Sequence, residues 1–169
     1  MRAPARIALV GFMGSGKSTT GRILASSLGY RFEDADDQIE ARAGMKIAEI
    51  FRQRGEERFR AIELQAIQEL LGREQIVIAT GGGAFANAAC AFELRARAFT
   101  IHLSCAFPEA WTRVTGQTGR PLVEKGESAM AALYAERKDK YSRAHAAVDT
   151  THRSPEEVVK EVLRLLPHS

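Results

Sequence analysis

Short apolar runs and helical stretches alternate along the chain. From this alternation we predict five strands, at Ile7–Val10, Arg31–Asp34, Ile76–Thr80, Phe99–Leu103 and Ala146–Asp149. The intervening patterns predict helices over residues 17–28, 37–43, 46–53, 56–71, 106–114, 128–143 and 155–166. Strands that alternate with helices are typical of an α/β fold, so we expect a five-stranded parallel sheet flanked by helices.

Two segments depart from this alternation. Residues 84–97 are ambiguous, and we interpret them as a helix. Residues 115–127 contain three glycines, Pro121 and several charges, which predicts a mobile loop able to close as a lid. No repeat, low-complexity tract or linker is evident, so residues 1–169 are predicted to form one domain.

Composition narrows the class of protein. Hydrophobic residues make up 45% of the 169 residues and charged residues 27%, as in soluble globular proteins, and no apolar run approaches membrane-helix length. The chain enters its first predicted strand at once, so we expect no signal peptide. Cys90 and Cys105 lack metal-ligand spacing and are interpreted as reduced thiols, which favours the cytoplasm. The net charge of +3 comes without a basic run, so no nucleic-acid partner is expected.

A glycine-rich motif separates the first predicted strand from the first predicted helix. Gly11-Phe12-Met13-Gly14-Ser15-Gly16-Lys17-Ser18-Thr19 fits the phosphate-binding pattern G-x-x-x-x-G-K-[ST]. Loop N–H groups and the helix N-terminus would bind phosphate, Lys17 would add a positive charge, and the Ser18 hydroxyl would ligate Mg²⁺. The alternative is a glycine-rich turn with a surface lysine. The predicted nucleotide-binding residues of this P-loop are Gly14, Ser15, Gly16, Lys17, Ser18 and Thr19.

Two carboxylates close the second predicted strand. In extended backbone, Asp34 and Asp36 would point to the same side of the strand. One could hold the metal, directly or through water, while the other accepts or orients the proton of an attacking hydroxyl. The alternative is an Asx-rich turn in which Asp36 caps the next helix.

Three glycines close the third predicted strand. Gly81-Gly82-Gly83 would offer bare backbone N–H groups to a small ligand, although a tight strand-to-helix turn is an alternative. Many P-loop ATPases carry a metal-binding aspartate at such a position. Because glycines stand here instead, and the chain lacks an Asn-Lys-x-Asp motif, a GTPase or motor ATPase is disfavoured.

Three arginines are candidates for binding anions. Arg60 and Glu63 share a helix face, so the glutamate could orient the guanidinium towards a carboxylate; a solvated surface pair is the alternative. Arg137 has the same two interpretations, a group that binds a carboxylate or a solvated surface charge. Arg120 lies in the predicted lid, from which it could reach transferring phosphate, or it could be an ordinary loop charge.

An ordered set of motifs resembles the shikimate kinase family across nearly the whole chain. The set comprises the P-loop, Asp34-x-Asp36, Ile50-Phe51…Gly55-Glu56…Phe59-Arg60…Glu63, Gly81-Gly82-Gly83, Arg120-Pro121-Leu122, and Arg137 four residues before Tyr141. The lid motif departs slightly, because Val123 follows Arg-Pro-Leu where the family usually has leucine. The apolar character is preserved.

The resemblance implies a fold and an activity. The fold would be a P-loop kinase fold of the nucleoside-monophosphate-kinase type, with a lid near residues 115–127 and a small substrate-binding region near 34–63. The enzyme would use ATP and Mg²⁺ to transfer the γ-phosphoryl group to the 3-hydroxyl of shikimate, a step towards chorismate and the aromatic amino acids. A monomer without membrane or nucleic-acid partners is expected.

The resemblance also implies residue roles. Lys17, Asp36 and Arg120 would be catalytic. Ser18 and Asp34 would manage Mg²⁺, and Arg113 and Arg153 would flank the adenine. The residues that would bind shikimate are Asp36, Arg60, Gly81, Gly82, Gly83 and Arg137. The two arginines would bind its carboxylate.

Two other classes remain compatible with the residues. One is a kinase of the same fold acting on gluconate or a nucleoside monophosphate, because Arg60 and Arg137 could also bind a phosphate. The combination of Gly81–Gly83 with Asp36 suits a polyhydroxylated ring acid better than a nucleobase. The other class is an ATP-binding regulatory module without turnover, which the presence of every predicted catalytic residue disfavours.

Overall fold

One parallel sheet organises the computed structural model, which describes residues 3–115 and 123–167. Its five strands lie in the spatial order β2-β3-β1-β4-β5, and each neighbouring pair is parallel. This confirms the predicted α/β fold. The strands are β1 Arg6–Val10, β2 Arg31–Asp34, β3 Ile76–Ala79, β4 Phe99–Ser104 and β5 Ala146–Asp149.

Seven helices flank the sheet over the described residues. The bounds are α1 Lys17–Leu28, α2 Ala35–Ala43, α3 Ile47–Leu71, α4 Ala88–Arg97, α5 Phe107–Val114, α6 Glu127–Tyr141 and α7 Pro155–Leu165. The ambiguous segment 84–97 is helical as predicted: a 3₁₀ turn at Ala84–Ala86 leads into α4, whose N-terminus is capped by the Asn87 side chain. Ser154 and Glu157 form a capping box at the start of α7.

Two helices differ from the sequence prediction. The helices predicted over 46–53 and 56–71 form one element, α3, with a break at Gly55, where φ is 76° and ψ is 171°. Helix α2 begins at Ala35 rather than at residue 37, because the Asp34 side chain accepts a hydrogen bond from the Asp36 N–H and caps the helix. Asp36 therefore lies in a helical turn and not in extended backbone.

Hydrophobic side chains pack on both faces of the sheet. Alternate residues of β1 point in opposite directions, so that Ile7 and Leu9 pack with α1 and α7 while Ala8 and Val10 pack with α4 and α6. A third cluster joins α2 to α3 on both sides of the break at Gly55, with Ile39, Ile50, Phe59, Ile62 and Ala66 as its buried members. This third cluster supports the segment that carries Asp36 and Arg60.

The central strand determines where a ligand can bind. Strand β1 lies between β3 and β4, so the chain continues to one side of it through β2 and β3 and to the other through β4 and β5. In doubly wound sheets, ligands bind beyond the carboxyl ends of the strands at such a switch point. The P-loop lies at this position.

Part of the predicted lid at 115–127 falls outside the described residues, namely 116–122. After it, Val123–Lys125 forms a 3₁₀ turn and α6 begins at Glu127. Among the helices that the structure describes, none has the length and apolarity required to cross a bilayer.

Candidate active site

Two glycines of the P-loop, Gly14 and Gly16, adopt a positive φ that residues with a side chain rarely adopt. At Gly14 φ is +77°, and a Cβ atom there would lie 2.5 Å from the carbonyl oxygen of Ala110 in α5. Gly16 adopts a left-handed conformation immediately before α1 begins at Lys17. The loop therefore presents backbone N–H groups next to a helix N-terminus, which is the arrangement that binds phosphate.

The ammonium group of Lys17 is held against this loop. Its Nζ donates hydrogen bonds to the carbonyl oxygens of Gly11 and Phe12, each at 2.8 Å. Lys17 is only 8% exposed. A positive charge is thus fixed beside the phosphate-binding loop as the motif predicts.

Ser18 and Asp34 meet beside the P-loop. The Ser18 hydroxyl donates a 2.6 Å hydrogen bond to Oδ2 of Asp34, while Oδ1 of the same carboxylate caps α2. A hydroxyl and a carboxylate oxygen at this separation are hard donors that fit Mg²⁺. No cluster of three or more His, Cys, Asp or Glu side chains suited to a metal occurs within residues 3–115 and 123–167, so a metal here would rely on further oxygen ligands.

Asp36 lies at the site, but in a backbone conformation that the sequence did not indicate. The expected strand-like alternation of Asp34 and Asp36 is wrong, and so is the alternative in which Asp36 caps the helix, since Asp34 is the cap. Both side chains nevertheless line the same cleft. A Cβ atom on Gly81 would lie 2.8 Å from Oδ1 of Asp36, so the carboxylate is packed against the glycine loop at the end of β3.

The predicted pair of Arg60 and Glu63 is present and largely buried. Nη1 of Arg60 donates a 2.6 Å hydrogen bond to Oε2 of Glu63, whose side chain is 2% exposed. Burial raises the pKa of the Glu63 carboxyl above its ordinary value, against the opposing effects of Arg60 and Arg137. The alternative of a solvated surface pair is therefore wrong, and Glu63 orients the guanidinium.

The glycine loop brings Arg60 and Arg137 together. A Cβ atom on Gly83 would lie 2.8 Å from Nη2 of Arg60 and 3.2 Å from Nη2 of Arg137. Only glycine allows two guanidinium groups to approach the backbone this closely. The Tyr141 hydroxyl, one turn after Arg137 in α6, donates a hydrogen bond to the Gly82 carbonyl and so holds the loop against α6.

These residues surround a cleft of about 270 Å³. Its lining combines the P-loop with the ends of β2 and β3, through Lys17, Ser18, Asp34, Asp36 and Gly81 among others. Asp36, the glycine loop and the arginines form a continuous set at one end, because Gly81 also lies near Glu63, the partner of Arg60. The cleft therefore joins the P-loop to Asp34, Asp36 and the start of the glycine loop, whose Gly83 lies against Arg60 and Arg137.

A second cleft of about 330 Å³ adjoins the first and shares Gly16, Thr19 and Arg113 with it. Arg153 and Pro155 line its other side. Nη1 of Arg113 donates to the Gly14 carbonyl oxygen at 3.1 Å. Both arginines predicted to flank an adenine thus lie at one cleft beside the P-loop.

One predicted catalytic residue, Arg120, lies outside the described residues. Other contributors were missed by the sequence analysis. Thr150 lines the second cleft, and its carbonyl oxygen accepts a 3.1 Å hydrogen bond from Nη2 of Arg113. Because Thr150 directly follows β5, the rule that ligands bind beyond strand ends could have identified it.

His102 is another residue that the sequence analysis missed. It lies on β4 beneath the P-loop, and its ring stacks on Tyr141 with centroids 5.0 Å apart. Burial, with a smaller contribution from the charge of Lys17, lowers the pKa of His102 from 6.5 to about 4. The imidazole is therefore neutral at pH 7.

This depressed pKa predicts a stability change with pH. Between about pH 6.5 and pH 4 the unfolded chain binds a proton at His102 that the folded chain excludes, so acidification lowers the free energy of unfolding. Relative to His102→Phe, which keeps the ring stack, the wild-type protein should lose about 2 kcal/mol over this range, allowing for partial exposure of the ring. Urea unfolding at several pH values tests this, and parallel curves for the two proteins would contradict it.

The fold and the site together define a class of protein. A parallel sheet with its P-loop at the switch point, a buried P-loop lysine, and an adjoining cleft lined by two aspartates are features of a P-loop small-molecule kinase.

Comparisons with known proteins identify the family. The shikimate kinase family model matches residues 13–167. A shikimate kinase of Persephonella marina is 40% identical, covering 93% of this chain and 96% of its own; one of Geobacter sulfurreducens is 42% identical, covering 92% and 87%. The structure of a shikimate kinase from Acinetobacter baumannii in complex with shikimate has a TM-score of 0.91 and 35% identity, covering 96% of this chain and 92% of the other. The chain belongs to the shikimate kinase family.

Proposed function

We propose that this chain transfers the γ-phosphoryl group of MgATP to the 3-hydroxyl of shikimate, giving shikimate 3-phosphate and ADP. One observation carries the proposal: Asp36, Arg60 and Arg137 converge on Gly81–Gly83 beside the P-loop. This places binding groups for a hydroxylated carboxylic acid next to binding groups for phosphate. The resemblance of the chain to an enzyme solved with shikimate supports the same acceptor.

The donor end of the site would bind ATP. The P-loop residues Gly14–Thr19 would hold the phosphates, and Lys17 would neutralise charge on the outer ones. The base would occupy the second cleft between Arg113 and Arg153. The hydrogen bond of Arg113 to the Gly14 carbonyl couples that cleft to the phosphate-binding loop.

The acceptor end would bind shikimate. Arg60 and Arg137 would donate hydrogen bonds to the carboxylate, the first of them oriented by the buried Glu63. Asp36 would accept hydrogen bonds from ring hydroxyls, and the backbone of Gly81–Gly83 allows the ring to approach closely. The two arginines lie on α3 and α6, so both helices would contribute to acceptor recognition.

Residues between the two ends would carry the chemistry. Asp36 would orient the attacking hydroxyl and accept its proton, while Lys17 would stabilise charge on the transferring group. Ser18 and Asp34 would hold Mg²⁺, which would supply positive charge to neutralise the phosphates. Arg120 would approach the transferring group from the lid; this role rests on the sequence motif alone.

The domain organisation and setting are also proposed. Residues 1–169 would form one kinase domain, with an acceptor-binding region near 34–63 and a lid near 115–127. The protein would act as a cytoplasmic monomer, a setting that the two buried free cysteines support.

ADP release with MgATP tests the function directly. It should be measured with shikimate, gluconate, CMP and UMP as separate acceptors, and with no acceptor. Strong release with shikimate alone is expected. Release with another acceptor would keep the kinase class but overturn the roles of Asp36, Arg60 and Arg137. Nucleotide binding without acceptor-dependent release would indicate a regulatory module.

Loss of either acceptor-site arginine should weaken shikimate binding. A charged hydrogen bond contributes about 1.5–3 kcal/mol, so Arg60→Ala and Arg137→Ala should each raise the KM for shikimate about 10- to 100-fold, with the KM for ATP nearly unchanged. Steady-state kinetics with each substrate varied in turn measures both constants.

Arg58→Ala is the matched control for the first of these variants. It removes an exposed arginine from the same helix, two residues away, and should leave both KM values unchanged. Because Arg60→Ala also leaves Glu63 buried without its partner, the Arg137→Ala variant decides the case if the first protein folds poorly. An unchanged KM for shikimate in Arg137→Ala would exclude it from acceptor binding.

A further inference from the structure

A carboxylate with no part in the proposed reaction lies at a junction of segments beside the second cleft. Glu109 belongs to the first turn of α5, and its side chain is 19% exposed. It accepts a hydrogen bond from the Arg113 guanidinium, one helical turn later. It also accepts the backbone N–H of His152, 2.9 Å from Oε2. One side chain therefore joins α5 to the loop between β5 and α7.

The first of these contacts fixes the orientation of Arg113. The guanidinium also donates to two carbonyl oxygens, that of Gly14 in the P-loop and that of Thr150 after β5, each at 3.1 Å. These acceptors are neutral, whereas Glu109 supplies a charged one, and charge-assisted hydrogen bonds are the stronger kind. Glu109 thus secures the plane of a guanidinium that faces both clefts.

The second contact supports an unfavourable backbone conformation. His152 has φ of +56°, a left-handed conformation that costs free energy in any residue with a side chain. The carboxylate of Glu109 accepts its N–H, and its Nδ1 lies 3.1 Å from Oε2. The next residue, Arg153, lines the second cleft. Glu109 therefore also fixes the backbone position of the neighbouring Arg153.

We propose that Glu109 is a positioning residue for the nucleotide: it holds Arg113 and, through His152, the loop of Arg153 in the orientation that contacts the base of ATP. This inference rests on the proposed placement of the base in the second cleft. It predicts a change in nucleotide affinity opposite to the one expected from charge alone. A carboxylate near a polyanionic ligand opposes binding by simple electrostatics, so its removal would by that effect alone tighten binding. Positioning predicts that its removal weakens binding.

Glu109→Gln separates these effects. The carboxamide oxygen can still accept the His152 N–H, while the charge that holds Arg113 is lost. Isothermal titration calorimetry of the full chain with MgADP should show a Kd about tenfold higher than wild type. The KM for shikimate should change less than twofold, which a general loss of structure would not allow. In an Arg113→Ala background the same substitution should no longer raise the Kd for MgADP.

Glu93→Gln is the matched control. Glu93 binds Arg97 at the same four-residue spacing, in α4, with a side chain 24% exposed. It lines neither cleft, so its substitution should leave the Kd for MgADP unchanged. Unchanged or tighter binding in Glu109→Gln would overturn the inference, as would an undiminished effect in the Arg113→Ala background. MgADP binding requires no acceptor, so a wild-type chain that binds MgADP without shikimate-dependent turnover would refute the proposed function and leave this test intact.

Discussion

Asp36→Asn should lower kcat by about a thousandfold while the protein remains folded. Asparagine has the same shape and can still contact a ring hydroxyl, but it cannot accept the hydroxyl proton, and general-base catalysis contributes about 10²- to 10⁴-fold. Asp34, and not Asp36, caps α2, so the cap survives the substitution. Stability should fall by no more than about 1 kcal/mol, through loss of a negative charge near the helix N-terminus.

Asp37→Asn provides a closely matched control for this variant. It removes the same charge from the same helical turn, but the Asp37 side chain is exposed and lines neither cleft. Its kcat should equal that of wild type, and the two variants should have similar thermal stability. Near-normal turnover in Asp36→Asn would exclude its proposed role as the proton acceptor.

Lys17→Met should lower kcat by about 10²- to 10³-fold. Methionine fills the space of the lysine stem but carries no charge, and removal of one preorganised electrostatic contact to a reacting group has an effect of this size. The ammonium group is already fixed by two carbonyl oxygens of the P-loop, so little reorganisation is needed when phosphate arrives. Rapid-quench measurement of a single turnover reports the transfer step itself.

An exposed lysine gives the comparison for this second variant. Lys160→Met in α7 makes the same chemical change away from both clefts and should leave the transfer rate unaltered. If Lys17→Met transferred phosphoryl within tenfold of wild type, the lysine would serve the structure of the loop and not the reaction.

The arrangement of the P-loop was predictable because its residues are adjacent in the sequence. Gly11 to Thr19 form one continuous segment, so residue order alone determines that loop N–H groups, a lysine and a hydroxyl lie together. The five strands were predictable for a similar reason. This holds best for β1 and β3, which are short apolar runs buried over almost their whole length, and least for β2, which carries three charged residues.

The two aspartates lie at one cleft, but not in the backbone conformation that the sequence predicted. Asp34 and Asp36 do line one cleft, yet a helix begins between them, and the assumed extended backbone is absent. The capping hydrogen bond from the Asp36 N–H to the Asp34 side chain competes with strand continuation. Sequence patterns locate such boundaries only within a few residues, and here that margin changed the geometry.

The remaining contacts depend on packing that no local pattern reveals. Arg137 meets Gly83, and Arg113 meets Thr150, across long stretches of chain. Glu109 reaches His152 over a separation of 43 residues. The motif resemblance named several of these arginines but gave no reason for their orientation, which comes from partners on other elements.

The separate hydrophobic cluster between α2 and α3 has an evolutionary consequence. Its members, among them Ile39, Ile50 and Phe59, pack with one another and not with the two clusters that cover the sheet. Mutations that reshape this region would disturb few of the contacts that support the P-loop. Sequence drift in this cluster could therefore alter the half of the proposed acceptor site that lies on α2 and α3, whereas Arg137 lies on α6, whose Met130 and Tyr141 share a cluster with Phe12 of the P-loop.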